Sequence, residues 1–225
     1  MPAGSFFDHL AVLYRKDLLS EVRTREVVNA GVLFSLMVLV LFNFAFDLRG
    51  ERAAALAPGL LWATFTFAGV LTLGRGFARE HDRGTLEGLL LAPIDRGAIY
   101  LAKVLVNFSC ICIVEAVSLP VLVGLFDVPL DWPRALVVVL LGTVGFSALG
   151  TLFAAIAANT RAREVMLPVL LFPLMVPLLI ASVKATAQAV GGEADDGHPW
   201  LGMLAAFDAI FLTVSMLVFE YVIDP

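Results

Sequence analysis

Ala135-Leu-Val-Val-Val-Leu-Leu-Gly-Thr-Val-Gly-Phe-Ser-Ala-Leu-Gly-Thr-Leu-Phe-Ala-Ala-Ile-Ala-Ala-Asn-Thr160 runs for 26 residues without one Asp, Glu, Lys, Arg or His. A helix needs about 20 apolar residues to cross the hydrocarbon core of a bilayer, so this run is long enough. Val27–Phe46, Ala53–Gly74 and Val165–Val183 repeat the pattern, charge-free over 20, 22 and 19 residues. Val104–Phe126 carries one charge, Glu115, and Trp200–Ile223 carries two, Asp208 and Glu220. Backbone groups in lipid must be satisfied within their own segment, so uniformly apolar runs of this length are helices. Barrel strands would alternate apolar and polar residues over about 10 positions, and none of these runs does. The composition, 60% hydrophobic and 16% charged, also excludes a soluble domain. The fold class is an all-α membrane protein with six transmembrane helices. The spans are about 27–46, 53–77, 99–126, 135–158, 165–183 and 200–223. No internal repeat or separate soluble domain interrupts 1–225, which reads as one domain.

Basic residues set the orientation. With the N-terminus inside, Arg15, Lys16, Arg23, Arg25, Arg75, Arg79, Arg83, Arg96, Lys103, Arg161 and Arg163 fall inside, eleven of 15. Arg49, Arg52, Arg134 and Lys184 fall outside. Positive charge favours the cytoplasmic side, so both termini are expected in the cytoplasm. The net charge of −5 does not disturb this, because acidic residues contribute little to the rule. Met1–Ser5 has no basic residue and Phe6–Glu26 is highly charged, which is not the pattern of a secretory signal. Cys110 and Cys112 point about 200° apart on a helix and are read as buried small apolar residues.

Residues 1–26 precede the first span and form an amphipathic helix. Phe7, Ala11, Tyr14, Leu18 and Val22 make one stripe, and His9, Lys16, Ser20 and Arg23 line another face. This pattern suits a helix lying in the membrane interface, with lipid as its partner, or a solvated helix packed on protein. Pro168, Pro173 and Pro177 each remove a backbone donor from the fifth span, so a bend is expected there. Gly142, Gly145, Ser147, Ala148 and Gly150 make the fourth span a close-packing helix. Lys184–Pro199 is the longest outside connection. Its apolar first half, Ala185–Val190, is compatible with a short re-entrant helix.

The inside connection at 78–97 contains Arg79-Glu80-His81-Asp82-Arg83-Gly84-Thr85-Leu86-Glu87-Gly88-Leu89-Leu90-Leu91-Ala92-Pro93. Thr85 is placed to cap a short helix, Glu87 suits its positive end, and Pro93 would stop it. Leu86, Leu89 and Leu90 share one face. Such a helix beneath a membrane domain suits a groove on another protein; alternatively its leucines only pack against the membrane face.

The Glu80–Pro93 run resembles the coupling segment of ABC-2-type transporter permeases. Within that superfamily the chain is similar to the haem exporter protein B (CcmB) family of the cytochrome c maturation system. The residues carrying the narrower likeness are Ala57–Trp62, Leu101–Val104, Leu140–Thr143 and Phe172–Ile180, and the likeness covers essentially the whole chain. It implies ABC-2-type permease architecture and a non-catalytic subunit of the bacterial cytoplasmic (inner) membrane. A separate ABC ATPase subunit carrying ATP and Mg would dock at Glu80, Asp82, Arg83, Gly84, Thr85, Leu86, Glu87, Leu89, Leu90 and Pro93. The resemblance also implies haem-handling membrane proteins, a periplasmic haem chaperone and haem as the group handled by the complex. A second copy of the chain is a further candidate partner; nucleic acid is not.

Chemistry within the chain itself is sparse. No Gly-Lys pair exists, so there is no phosphate-binding loop. Gly145-Phe146-Ser147-Ala148-Leu149 begins like a hydrolase elbow but lacks its second glycine. His9, His81 and His198 lie in separate segments without metal-ligand spacing, so no metal and no catalytic residue is expected. Ionisable residues inside spans are functional candidates by default. Glu115 leads them, with Asn107 and Ser118 on neighbouring turns, and Asp208 follows. For Glu115 a structural hydrogen bond is weighed against substrate passage or coupling. Lys103 is near the cytoplasmic end and can snorkel. An ATP-independent secondary transporter or channel using Glu115 and Asp208 is the rival reading. It meets no inverted repeat and leaves the cytoplasmic leucine helix unexplained. A structural scaffold for haem-handling partners is the third.

Overall fold

Residues 6–46, 51–82, 94–158, 160, 163–191 and 199–223 are described by the structure, a computed structural model. Their regular structure is helical throughout: α1 Phe6–Thr24, α2 Glu26–Phe46, α3 Glu51–Asp82, α4 Arg96–Phe126, α5 Trp132–Ala158, α6 Arg163–Ala189 and α7 Trp200–Ile223. Each of α2 to α7 holds at least 21 residues long and apolar enough to cross a bilayer. The chain is therefore a multi-pass, all-α membrane protein. Successive helices alternate in direction, so the starts of α2, α4 and α6 share one end of the bundle with the finishes of α3, α5 and α7. At that end Arg96 Nη1 donates to the Glu220 carbonyl at 3.3 Å. At the other, the Asp131 N–H donates to the Ala189 carbonyl at 2.8 Å.

Helix α5 is the core. About two-thirds of its membrane window is buried (67%), against 22% for α2 and α7, so it fills the centre while those two face outward. Its small residues make this possible. The Trp62 ring from α3 occupies the place where a Cβ on Gly142 would stand. At Gly145 a Cβ would come within 2.5 Å of an Asp208 carboxyl oxygen from α7. Without a hydrophobic drive between helices in lipid, such close approach supplies the packing energy. Hydroxyls within the helices return their protons to carbonyls one turn back, as Thr64 does to Leu60 and Thr213 to Ala209. Polar side chains are thereby accommodated without water.

The helix limits refine the expected layout. α3 has 32 residues, about 48 Å at 1.5 Å per residue, so it extends well past a hydrocarbon core of about 30 Å. Residues 78–82 of the inside connection are its last turns, and 96–97 begin α4. The Asp95 carboxylate caps α4, accepting from the Gly97 and Ala98 N–H groups at 2.7 and 3.3 Å. α6 runs unbroken through Pro168, Pro173 and Pro177. It also continues beyond 183 to Ala189, so Ala185–Ala189 lengthen the fifth span rather than forming a separate re-entrant helix. Ala185, Ala189 and Val190 bury against the bundle while Lys184 stays exposed, which is how a charge sits inside a continuing helix.

The face of α1 differs from the expected one. Leu13 is buried, and Leu10 and Tyr14 pack against the core. Phe7, Val12, Leu19 and Val22 are exposed. The helix therefore has two apolar faces. Tyr14 leaves the expected membrane stripe because its hydroxyl reaches Ser109 on α4, 3.0 Å away. Arg25, at φ 53°, makes the corner into α2.

Candidate functional site

Glu115 lies midway along α4 with 4% of its surface exposed. Its two carboxyl oxygens stand 2.7 and 2.8 Å from the Thr143 hydroxyl on α5. The same hydroxyl is 2.8 Å from the Val139 carbonyl. Thr143 thus has two acceptors to choose between, whereas Glu115 has no other hydrogen-bonding partner among the described residues. This arrangement fits the structural alternative for Glu115, a bond holding α4 to α5.

The neighbouring-turn candidates do not join it. Asn107 donates instead to Thr151 on α5 at 2.9 Å. Ser118 lies 2.7 Å from Ser35 on α2 and donates back to the Val114 carbonyl. The physical reason is height along the helix for one and rotation for the other. Asn107, eight residues before Glu115, lies about 12 Å along the axis and meets the same neighbour, α5, farther along, whereas Ser118 is turned toward α2. Glu115, Asn107 and Ser118 are three separate interhelical links on α4.

Asp208 on α7 is 7% exposed, and among the described residues no side chain hydrogen-bonds either carboxyl oxygen. It lies against the backbone at Gly145, with Leu178 and Phe207 beside it. Thr143 and Gly145 are two residues apart on α5, about 200° around the helix. Glu115 and Asp208 therefore approach α5 from opposite sides and do not share a site.

At the other candidate site, Glu80 and Asp82 fall in the last turns of α3, with side chains outside the described residues. Arg83, Gly84, Thr85, Leu86, Glu87, Leu89, Leu90 and Pro93 lie outside the described residues altogether. What is described is its exit. Tyr100, fully buried, donates its hydroxyl to the Ala148 carbonyl at 3.0 Å and sets its ring 5.1 Å from that of Phe219.

Two links were not anticipated from sequence. Lys103 does not snorkel: it is 9% exposed and its Nζ lies 2.7 Å from Asp17 on α1. The signal was available, since Leu10, Leu13, Tyr14 and Asp17 share a face at three- and four-residue spacing. Trp62 Nε1 donates to Thr186 on α6 at 2.8 Å. Nothing local in either segment points to that pair. Ser147 sits fully buried in mid-helix. No group of three or more His, Cys, Asp or Glu that could hold a metal ion occurs among the described residues.

These features define a polytopic helical membrane domain whose polar interior links helices to one another. Residues 8–223 match the family model described as CcmB protein, and the chain belongs to that family. It is 32% identical over 213 residues to the Heme exporter protein B of Rhodobacter capsulatus, covering 93% of this chain and 95% of the relative. Proteins of the same name from Bradyrhizobium diazoefficiens and Escherichia coli strain K12 are 29% and 28% identical. Those matches cover 92% and 90% of this chain, and 93% and 92% of the relatives.

Proposed function

We propose that the chain is the membrane permease subunit of an ABC transporter serving cytochrome c maturation, with haem as the group its complex handles. The observation that carries this reading is coverage: the likeness to proteins named Heme exporter protein B spans nine-tenths or more of both chains, and the family match runs from α1 through α7. The subunit is non-catalytic, and ATP with Mg binds a separate ATPase subunit. That subunit docks at Glu80–Pro93, through Leu86, Leu89 and Leu90 on one face. The work delivered there drives haem loading or release at a periplasmic haem chaperone, beside haem-handling membrane proteins and with a second copy of the chain. The subunit lies in the bacterial cytoplasmic membrane with both termini and α1 on the cytoplasmic side.

An ATP-independent path through Glu115 and Asp208 is disfavoured, because the two carboxyl groups lie on opposite sides of α5 and the Glu115 group is engaged by Thr143. The test is the ATPase rate of the assembled complex with and without this chain, in the same lipid. A rate that depends on the chain and on haem acceptor supports coupling. An unchanged rate, with haem transfer continuing when ATP hydrolysis is blocked, overturns it.

A further inference from the structure

The first turns of α4 leave the docking segment, and they are fastened to three helices. Arg96 reaches the end of α7, and Tyr100 reaches α5 and the Phe219 ring of α7. Lys103 reaches Asp17 of α1 at 2.7 Å, both side chains largely out of solvent at 11% and 13% exposure. Two turns further on, Ser109 holds Tyr14 of the same helix. The other Asp17 oxygen lies 3.1 Å from the largely exposed Lys16 on the same helix, so the Asp17 link that leaves α1 is the one to Lys103. A carboxylate and an ammonium held this far from water attract strongly.

The rest of α1 is held differently. It joins α2 through the single residue Arg25, whose positive φ turns the chain sharply. Its polar side-chain links described above all go to α4. Phe7, Val12, Leu19 and Val22 remain on its outer face. The interfacial helix is thus attached to the helix that emerges from the docking segment, and it turns into the one that follows it in sequence at Arg25.

We infer that Asp17 and Lys103 are positioning residues for coupling: their ion pair makes α1 and the start of α4 one body, so that displacement of the docking segment is passed to both. The inference rests on the reading that an ATPase docks at that segment. Neither residue touches ATP or haem in this account; they act by holding α4 in place.

Two measurements separate the attachment from its role. In the full chain alone, embedded in lipid, Asp17→Asn should speed amide hydrogen exchange across α1 by about tenfold, the loss expected when a buried pair is broken and the helix opens locally. Asp17→Lys combined with Lys103→Asp, in a Lys16→Gln background that removes the like charge beside position 17, should restore slow exchange. In the complex, Asp17→Asn and Lys103→Met should keep the ATPase subunit bound, yet lose the chain-dependent part of its rate, and the charge swap should recover it. Tyr14→Phe, which removes one bond without altering charge, should give an intermediate loss. Unchanged exchange in Asp17→Asn overturns the attachment. Full coupling in the single variants, or release of the ATPase by them, overturns the positioning role. Failure of the unaltered chain to hold any ATPase would count against the docking reading itself, while the exchange experiment still reads the ion pair.

Discussion

Replacing Thr143 with Val removes one hydroxyl and leaves the shape of the side chain. In the native bundle that hydroxyl lies 2.7 and 2.8 Å from the two oxygens of Glu115 and 2.8 Å from the Val139 carbonyl, and its one proton is shared among them. The substitution leaves a carboxyl group with 4% exposure and no hydrogen-bonding partner among the described residues. An ordinary interhelical hydrogen bond in a bilayer is worth about 0.6 kcal/mol on average. Leaving a buried polar group without its partner costs about 1–3 kcal/mol, so the second effect dominates. Glu115→Leu is not the mirror image. Thr143 keeps its bond to Val139, an apolar side chain of similar length fills the site, and the cost should stay below about 1 kcal/mol. Glu115→Gln retains an acceptor and should fall close to the native protein. The double variant Thr143→Val/Glu115→Leu should be no worse than Glu115→Leu alone. Thermal unfolding in bicelles reads these differences at about 2–4 °C per kcal/mol for a chain of this size. Thr143→Val should therefore lower the midpoint by about 2–12 °C. A midpoint unmoved in Thr143→Val, or a larger fall in Glu115→Leu, would refute the reasoning.

Gly142→Ala places a methyl where the Trp62 ring lies and should weaken the indole bond to Thr186. We expect a loss of about 1–3 kcal/mol from overpacking, read as a lower unfolding midpoint together with a shift in tryptophan emission. For topology, Arg134→Cys and Arg23→Cys, each with Cys110 and Cys112 replaced by Ala, should differ in intact cells. An impermeant thiol reagent should label position 134 and spare 23, whereas the opposite pattern reverses the orientation.

The six spans were legible because charge-free runs such as 135–160 have one physical explanation in a chain this apolar. Their order and alternating direction follow from short connections. Neighbours were harder to read. The small residues of α5 announced close packing, but not that Trp62 fills the space at Gly142 or Asp208 the space at Gly145. Those contacts depend on the relative rotation and height of helices, which no single-span pattern records. Glu115 stood out as a lone charge in its run, yet its partner Thr143 belongs to a run with none. Lys103 was hard to place because a span-end lysine ordinarily reaches for the interface; the competing attraction comes from Asp17, on a helix whose apolar stripe suits either lipid or packing on protein. α6 outran its expected end since Lys184 interrupts the apolar run without interrupting the helix. The run Thr85–Pro93 could be read for caps, a stop and a leucine face, and these lie outside the described residues.

Whether an ATPase engages the connection between α3 and α4 is the central question, and the Leu89→Asp/Leu90→Asp variant addresses it directly. Burying a leucine at an interface is worth about 1.5–3 kcal/mol, so the pair should contribute roughly 3–6 kcal/mol before the cost of desolvating two carboxylates. At tenfold per about 1.4 kcal/mol, the loss exceeds a hundredfold in affinity. The measurement is recovery of the ATPase subunit with the purified membrane chain, compared with an Arg134→Gln control at the opposite end of the bundle. The membrane domain should insert and purify normally while its ATPase is lost, with the control retaining it. Full recovery of the ATPase with the double variant would contradict it.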